Sequence, residues 1–364
     1  MTRLYQKLSV LFFSLCALCA YPADTDQQYV DGLIRDVFAN QSLSYTPLHG
    51  GCMAQVARVS IEPATCVVRK IRAENSFAQC VQECVVARLC AAQKIGPLIY
   101  TCNPTNKIVI LEYLQNQGVP RDQFGTKQLL DEFGILMSTY HAIDVRQIEA
   151  DAQKDFNCAL TVGRCYLFAL DNVTGNIEEA RDQLTIMGLT VAEVQQWAAE
   201  LDQKISTLWD IQKPKIVFSH GDLHWGNYLY AKDRLWFIDY ETSGLAPWWY
   251  DLGVLGAHYS FTEESDKFLL EAYFGIPSDL ISAHDKAEYL CMKYVASLFY
   301  ATLRLRSFSL EFVQQAVDVN ADLATLQEAY RNGTFSLNTD YAHTQLAIAM
   351  IRSVEYGYKK VVSA

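Results

Sequence analysis

The sequence is short of positive charge, and it has no apolar run long enough to span a membrane. Thirty Lys and Arg stand against 41 Asp and Glu, for a formal net charge of −11. That balance excludes general nucleic-acid binding, which needs a basic face against phosphates. It leaves room for a local basic pocket and weakly favours a cationic small substrate through steering. The N-terminal apolar run, Leu8 to Ala20, is too short for a typical span, so no stable membrane span is expected. Internal repeats, low-complexity tracts and long Gly/Ser linkers are absent. Cys80 and Cys84 sit at i, i+4, but no second pair completes a zinc pattern. The eleven cysteines, nine of them after the apolar run, fit free buried thiols better than a disulfide set.

What is present is ample hydrophobic material. The chain has 364 residues, 51% of them hydrophobic, more than one core usually holds, so two lobes are expected. Residues 1–23 form a leader: Arg3 and Lys7, the apolar run, then small residues and Pro22. The layout is that of a secretory signal, with a retained apolar helix as the alternative. The leader points to export, while free thiols point to the cytoplasm, so the sequence assigns no single compartment.

From residue 29 to 115 the pattern describes a small β-rich lobe. Tyr29 to Phe38 is amphipathic, and strand-like runs flank Gly50-Gly51. Cys66 to Ile71 and Lys107 to Tyr113 are β-prone. Ser76 to Lys94 has helical spacing and stops at Gly96-Pro97. From 116 to 364 helical periodicity dominates, as in Leu129, Phe133, Leu136, Met137 and Tyr140, in 191–209, in 267–273 and beyond 286. Two short strands interrupt it, Ile216 to Ser219 and Leu235 to Ile238. The fold class is therefore α+β, with a β-rich N-terminal lobe and a mainly helical C-terminal lobe.

The chemistry concentrates in Ser219-His220-Gly221-Asp222-Leu223-His224-Trp225-Gly226-Asn227 and in Ile238-Asp239-Tyr240-Glu241. An Asp precedes an Asn by five residues, and a further Asp ends an apolar strand. Protein kinases place a catalytic-loop Asp and Asn at this spacing, with a metal-binding Asp on a later strand end. Mg²⁺ takes hard oxygen ligands, which carboxylate and amide groups supply. Asp239 and Asn227 are thus the metal candidates, and Asp222 is the candidate base for an acceptor hydroxyl.

These residues resemble the signature of the aminoglycoside phosphotransferase and choline/ethanolamine kinase superfamily. That family is similar to protein kinases in fold but has HGD in place of HRD and lacks the DFG glycine. The resemblance runs from about Leu48 to Phe261. It implies a nucleotide loop at Gly50-Gly51, a phosphate-binding cation at Arg69 or Lys70, and Glu83 as that cation's ion-pair partner. It also implies an adenine-binding hinge in the backbone of Glu112, Tyr113 and Leu114. Adjacent strand residues face opposite sides, so only one of Arg69 and Lys70 can enter the cleft. Asp251 resembles the family's structural Asp, and Glu241 is placed to support the metal site or a nearby basic group.

The implied reaction is ATP- and Mg²⁺-dependent phosphorylation of a small alcohol, first of all choline or an ethanolamine-like amino alcohol. Trp248, Trp249 and Tyr250, with Tyr259, are the candidates for a cation–π face around such an acceptor. An aminoglycoside, thiamine or amino sugar is the alternative acceptor. A catalytically inactive kinase-like binding protein is the alternative of a different class, disfavoured by the joint presence of Asp222, Asn227 and Asp239.

Overall fold

A computed structural model describes residues 44–48, 55–61, 64–71, 74–165, 167–224, 226–259, 262–319, 322–336 and 339–363. The leader, the expected helix at 29–38, Gly50 and Gly51 lie outside the described residues. The chain divides into two units, 1–115 with 146–161, and 116–145 with 162–364. The segment 146–161, expected in the helical lobe, thus groups with the first unit.

The first unit is built on a five-stranded antiparallel sheet. Its strands are β1 (Ser44–Pro47), β2 (Gln55–Ile61), β3 (Ala64–Lys70), β4 (Ile99–Asn103) and β5 (Ile108–Glu112), in the order β1-β2-β3-β5-β4. Helix α1 (Phe77–Ala92) follows β3. It starts at a capping box in which Ser76 and Gln79 satisfy each other's backbone N–H groups. It ends two residues before the position expected from sequence, because Lys94 turns to φ 60°, the left-handed conformation that closes many helices. Ile71, Cys80, Cys84 and Val109 form a buried cluster here, packed against Ile99, Cys102, Leu111 and Phe156.

Phe156 belongs to α3 (Val145–Phe156), which follows α2 (Lys127–His141) of the second unit. The rest of that unit contains α4 (Phe168–Glu179), α5 (Arg181–Ile186), α6 (Val191–Ile211), α7 (Trp249–Tyr259), α8 (Glu263–Phe274) and α9 (Ala283–Leu305). Helices α10 (Leu310–Val319), α11 (Leu323–Arg331) and α12 (Asp340–Ser363) complete it. Two small antiparallel ribbons carry the site. Strand β6 (Ile216–Ser219) pairs with β9 (Gly244–Pro247), and β7 (Tyr228–Ala231) pairs with β8 (Arg234–Phe237). The β7–β8 turn places both Lys232 and Asp233 at positive φ, the geometry whose twist matches a tight hairpin. No helix of the described residues is long and apolar enough to cross a membrane.

Candidate active site

The loop from β6 to β7 holds residues 220–227, and the loop from β8 to β9 holds residues 238–243. The two loops are tied together. Ile238 donates its N–H to the Asn227 carbonyl at 3.0 Å. The His220 ring donates Nε2–H to the Ile238 carbonyl at 2.9 Å, which fixes its tautomer. Thr242 Oγ1 donates to the His220 carbonyl at 2.9 Å. Gly221 shows why the middle residue of this HGD is glycine. Its φ is +86°, and a Cβ there would lie 2.4 Å from Cys165 Sγ and 2.8 Å from the Thr242 carbonyl. An arginine, as in HRD, has neither the room nor the backbone freedom.

Asp222 and Asn227 meet directly. Asn227 Nδ2 donates to the Asp222 carbonyl at 2.7 Å and to its Oδ2 at 3.2 Å. Asp222 keeps 31% of its side chain exposed, with His224 Nε2 at 3.6 Å. Burial raises the Asp222 pKa above the ordinary aspartate value, against the pull of His224 and His220, and the Asp239 charge adds to the rise. A carboxylate so placed can take a proton more readily than one in water.

Below the loop lies an anchor. Asp251, fully buried in the first turn of α7, accepts the N–H of His220 at 2.8 Å and of Gly221 at 3.0 Å. It also accepts Nε2–H of His141 at 3.0 Å. The other His141 nitrogen meets the Tyr273 hydroxyl at 2.8 Å. Burial alone would raise the Asp251 pKa, but the His141 bond and charge, His220 and the Gly221 N–H outweigh it and hold the carboxyl below the ordinary range. The helix N-terminus favours the same negative charge.

Asp239 closes the strand end with φ +66°, a conformation non-glycine residues seldom adopt and one found at functional sites. The donor set suits Mg²⁺. With Nδ2 of Asn227 committed to Asp222, its Oδ1 is the remaining group, so the pair offers a carboxylate and an amide oxygen. Mg²⁺ is held by one or two such protein groups plus phosphates and water, so the lack of any larger His, Cys, Asp and Glu cluster among the described residues is compatible with it. Glu241 is half-buried in the turn that follows.

In the first unit, Arg69 Nη1 forms an ion pair with Glu83 of α1. The two side chains are 12% and 3% exposed. Lys70 is the next residue on β3. At the expected hinge, the Glu112 N–H donates to the Leu98 carbonyl at 2.8 Å, so that N–H is committed within the sheet unit. Tyr113 lies beneath the Arg58 guanidinium, 4.7 Å from its ring centroid, and Leu114 is buried.

This combination of a β-sheet unit with a buried Arg–Glu pair and a helical unit with an HGD loop has known counterparts. The sequence profile described as choline/ethanolamine kinase matches residues 45–325. The chain belongs to the choline/ethanolamine kinase family. It is a phosphotransferase that acts on a hydroxyl acceptor, with the two-part α+β fold of the protein-kinase-like phosphotransferases. A choline/ethanolamine kinase family protein from Mesorhizobium loti is 19% identical with a TM-score of 0.55, over 89% of this chain and 99% of that one. An ethanolamine kinase from Plasmodium vivax is 13% identical with a TM-score of 0.56, over 96% and 93%. A choline kinase from Cryptosporidium parvum is 15% identical with a TM-score of 0.53, over 86% and 98%. At these identities the solved structures show the fold. No curated protein matches the chain at a significant level.

Within this family member the aromatic expectation needs correction. Trp248, Trp249, Tyr250 and Tyr259 are each 3% exposed or less. Trp248 stacks on Tyr273 with centroids 5.5 Å apart and packs edge-on to Phe274 at 4.9 Å. Its Nε1–H donates to Glu288 at 3.3 Å. Tyr259 stacks on Phe133 at 4.8 Å. Rings whose faces are covered by protein form core, not an accessible cage. Sequence reasoning missed His141, Thr242 and Ser243, whose hydroxyl meets that of Tyr140 at 2.7 Å. The one available signal was a histidine beside the apolar stripe of α2.

Proposed function

We propose that this family member transfers the γ-phosphoryl group of ATP, with Mg²⁺, to the hydroxyl of a small amino alcohol, choline or ethanolamine first. The reading is carried by the hydrogen-bonded Asp222–Asn227 pair, set on a loop that Asp251 anchors from beneath. The family profile supports the acceptor class.

Asp222 would orient the acceptor hydroxyl and take its proton at the carboxylate. Its partial exposure leaves an oxygen for that contact, and its charge attracts an ammonium-bearing alcohol. Asn227 holds Asp222 in place through Nδ2. Asp239 and Asn227 Oδ1 would hold Mg²⁺, which when bound neutralises phosphate charge. Arg69, oriented by Glu83, would pair with the nucleotide phosphates. Glu112, Tyr113 and Leu114 would bind adenine through backbone groups, and Gly50-Gly51 would cover the phosphates.

An aminoglycoside, thiamine or amino sugar is the alternative acceptor for the same phosphoryl-transfer chemistry.

A panel of alcohols separates the readings. ADP release with ATP, Mg²⁺ and choline or ethanolamine supports the first. Release only with amino sugars or aminoglycosides supports the second. ATP binding with no release for any acceptor refutes both.

A further inference from the structure

We propose that Asn332 is a site of spontaneous covalent modification, at which the side-chain amide cyclises onto the Gly333 nitrogen, releases ammonia and reopens in water as aspartate or isoaspartate. Twelve asparagines occur in the chain, and Asn332 is the one followed by glycine. A glycine there lacks the Cβ that would shield its backbone nitrogen, so the nitrogen can swing onto the neighbouring side chain. Asn332 caps the C-terminal end of α11, and Gly333 follows at φ +79°. Asn332, Gly333 and Thr334 are all exposed, so water and hydroxide reach them.

The turn also activates the amide. Asn332 Oδ1 accepts the Thr334 N–H at 3.1 Å and the Thr334 hydroxyl at 2.6 Å. The same hydroxyl lies 3.3 Å from the Ala329 carbonyl, and the shorter contact takes its proton. When the Gly333 nitrogen adds to Cγ, negative charge builds on Oδ1, where two donors already point. Donors in place on a developing oxyanion lower the barrier to addition. The Gly333 N–H donates to the Tyr330 carbonyl at 3.2 Å, a bond at a helix end, where fraying releases it.

Hydroxide takes the proton of the Gly333 N–H, and that nitrogen forms a bond to Asn332 Cγ. The Cγ–Nδ2 bond breaks, and ammonia leaves with a proton from water, which restores the hydroxide. Water then opens the cyclic imide. Attack at Cγ gives aspartate, and attack at the main-chain carbonyl gives isoaspartate, with the backbone rerouted through Cγ. In sum, one amide and one water become one carboxylic acid and one ammonia, and nothing is oxidised or reduced.

Either product sets a carboxylate against the last turn of α11, where the helix dipole opposes negative charge. Arg121 is at hand. Its Nη1 lies 3.2 Å from where a Gly333 Cβ would sit, and its guanidinium lies over the Tyr330 ring at 5.7 Å. Tyr330 packs on Phe124 with centroids 4.9 Å apart, and Gln327 and Arg331 of the same helix donate to the Phe124 carbonyl at 3.3 and 2.7 Å. The modification therefore falls where α11 grips residues 121–124, and it is independent of the acceptor and of ATP.

The test incubates the full chain at mildly alkaline pH, folded and in denaturant. The digest is mapped by mass, and isoaspartate is read by methyltransferase labelling. In the folded chain the peptide holding residue 332 should gain the mass of an amide-to-acid exchange before any of the other eleven asparagines reacts, and it should split into aspartate and isoaspartate forms. An intact Asn332 while another asparagine reacts overturns the site. Thr334→Val, which removes the hydroxyl donor at an exposed position, should slow the folded reaction about 3- to 10-fold, the worth of one hydrogen bond. Thr334→Ser should react at the wild-type rate. In denaturant, wild type and Thr334→Val should react alike, because the turn is gone. Equal folded rates for wild type and Thr334→Val overturn the part assigned to the turn.

Discussion

The side-chain amide of Asn227 donates to both the main-chain carbonyl and the Oδ2 of Asp222, at 2.7 and 3.2 Å. One residue thus fixes the proposed base and leaves an amide oxygen for the proposed metal. Asn227→Ala removes both roles, and kcat should fall about 10- to 100-fold with a higher Mg²⁺ requirement. Asn227→Asp restores a hard oxygen but cannot donate, and it sets a like charge beside Asp222. It should also lose kcat. Full activity in Asn227→Asp would show that the hydrogen bond is dispensable.

Asp251 accepts three hydrogen bonds in a fully buried position. Asp251→Asn keeps the shape but turns one acceptor into a donor facing an N–H or His141. Denaturant unfolding should show a loss of about 3 kcal/mol, the scale of a broken buried pair. The folded pKa lies below the ordinary 3.8, so the unfolded chain takes up the proton first. The carboxylate's contribution is present above that value and is lost as pH falls through the depressed folded pKa. The stability gap between wild type and variant should therefore narrow below about pH 4.

Legibility in the sequence followed distance along the chain. Asp222, Asn227 and Asp239 lie within one short stretch, so their spacing alone made them the candidates. The long helices were legible from periodicity, and α1 also from Ser76 and Gly96-Pro97. His141 reaches Asp251 across a separation of 110 residues, and no local pattern encodes that meeting. Strand β7 directly follows the HGD loop, and β9 carries Gly244 and Pro247, which read as loop. Trp248 to Tyr250 misled because an aromatic cluster looks the same whether its faces meet solvent or Tyr273 and Phe274. The choice of Arg69 over Lys70 as the proposed phosphate cation rests on the position of Glu83, which no local pattern encodes.

That choice makes a prediction. Arg69 is oriented by a 3%-exposed carboxylate, and adjacent strand residues face opposite sides. Arg69→Met should weaken ATP binding by about 10- to 100-fold, the loss of one charge-assisted contact of about 1.5–3 kcal/mol. Lys70→Met should leave the Kd close to wild type. The reverse ranking in a nucleotide titration would place Lys70 on the phosphates.

The stacking of Trp248 on Tyr273 and Phe274 separates core from binding face. Trp248→Ala should cost about 3–5 kcal/mol of stability, as expected for a buried aromatic. Trp248→Phe, which keeps a ring against Tyr273, should leave the acceptor KM unchanged while the midpoint of unfolding falls. A raised KM at unchanged stability would return Trp248 to the acceptor site.

Asp222→Asn is the sharpest test of the chemistry. The amide fills the same space and can still orient a hydroxyl, but it cannot take the proton. Turnover should fall about 10²- to 10⁴-fold, the contribution of a positioned general base. ATP affinity should change little, because the Arg69–Glu83 pair assigned to the phosphates lies in the other unit and is untouched. The two readouts, single-turnover phosphoryl transfer and equilibrium nucleotide binding, have to separate. Asp222→Asn that turns over near the wild-type rate would show that the proton leaves by another route and that Asp222 serves only to position the acceptor.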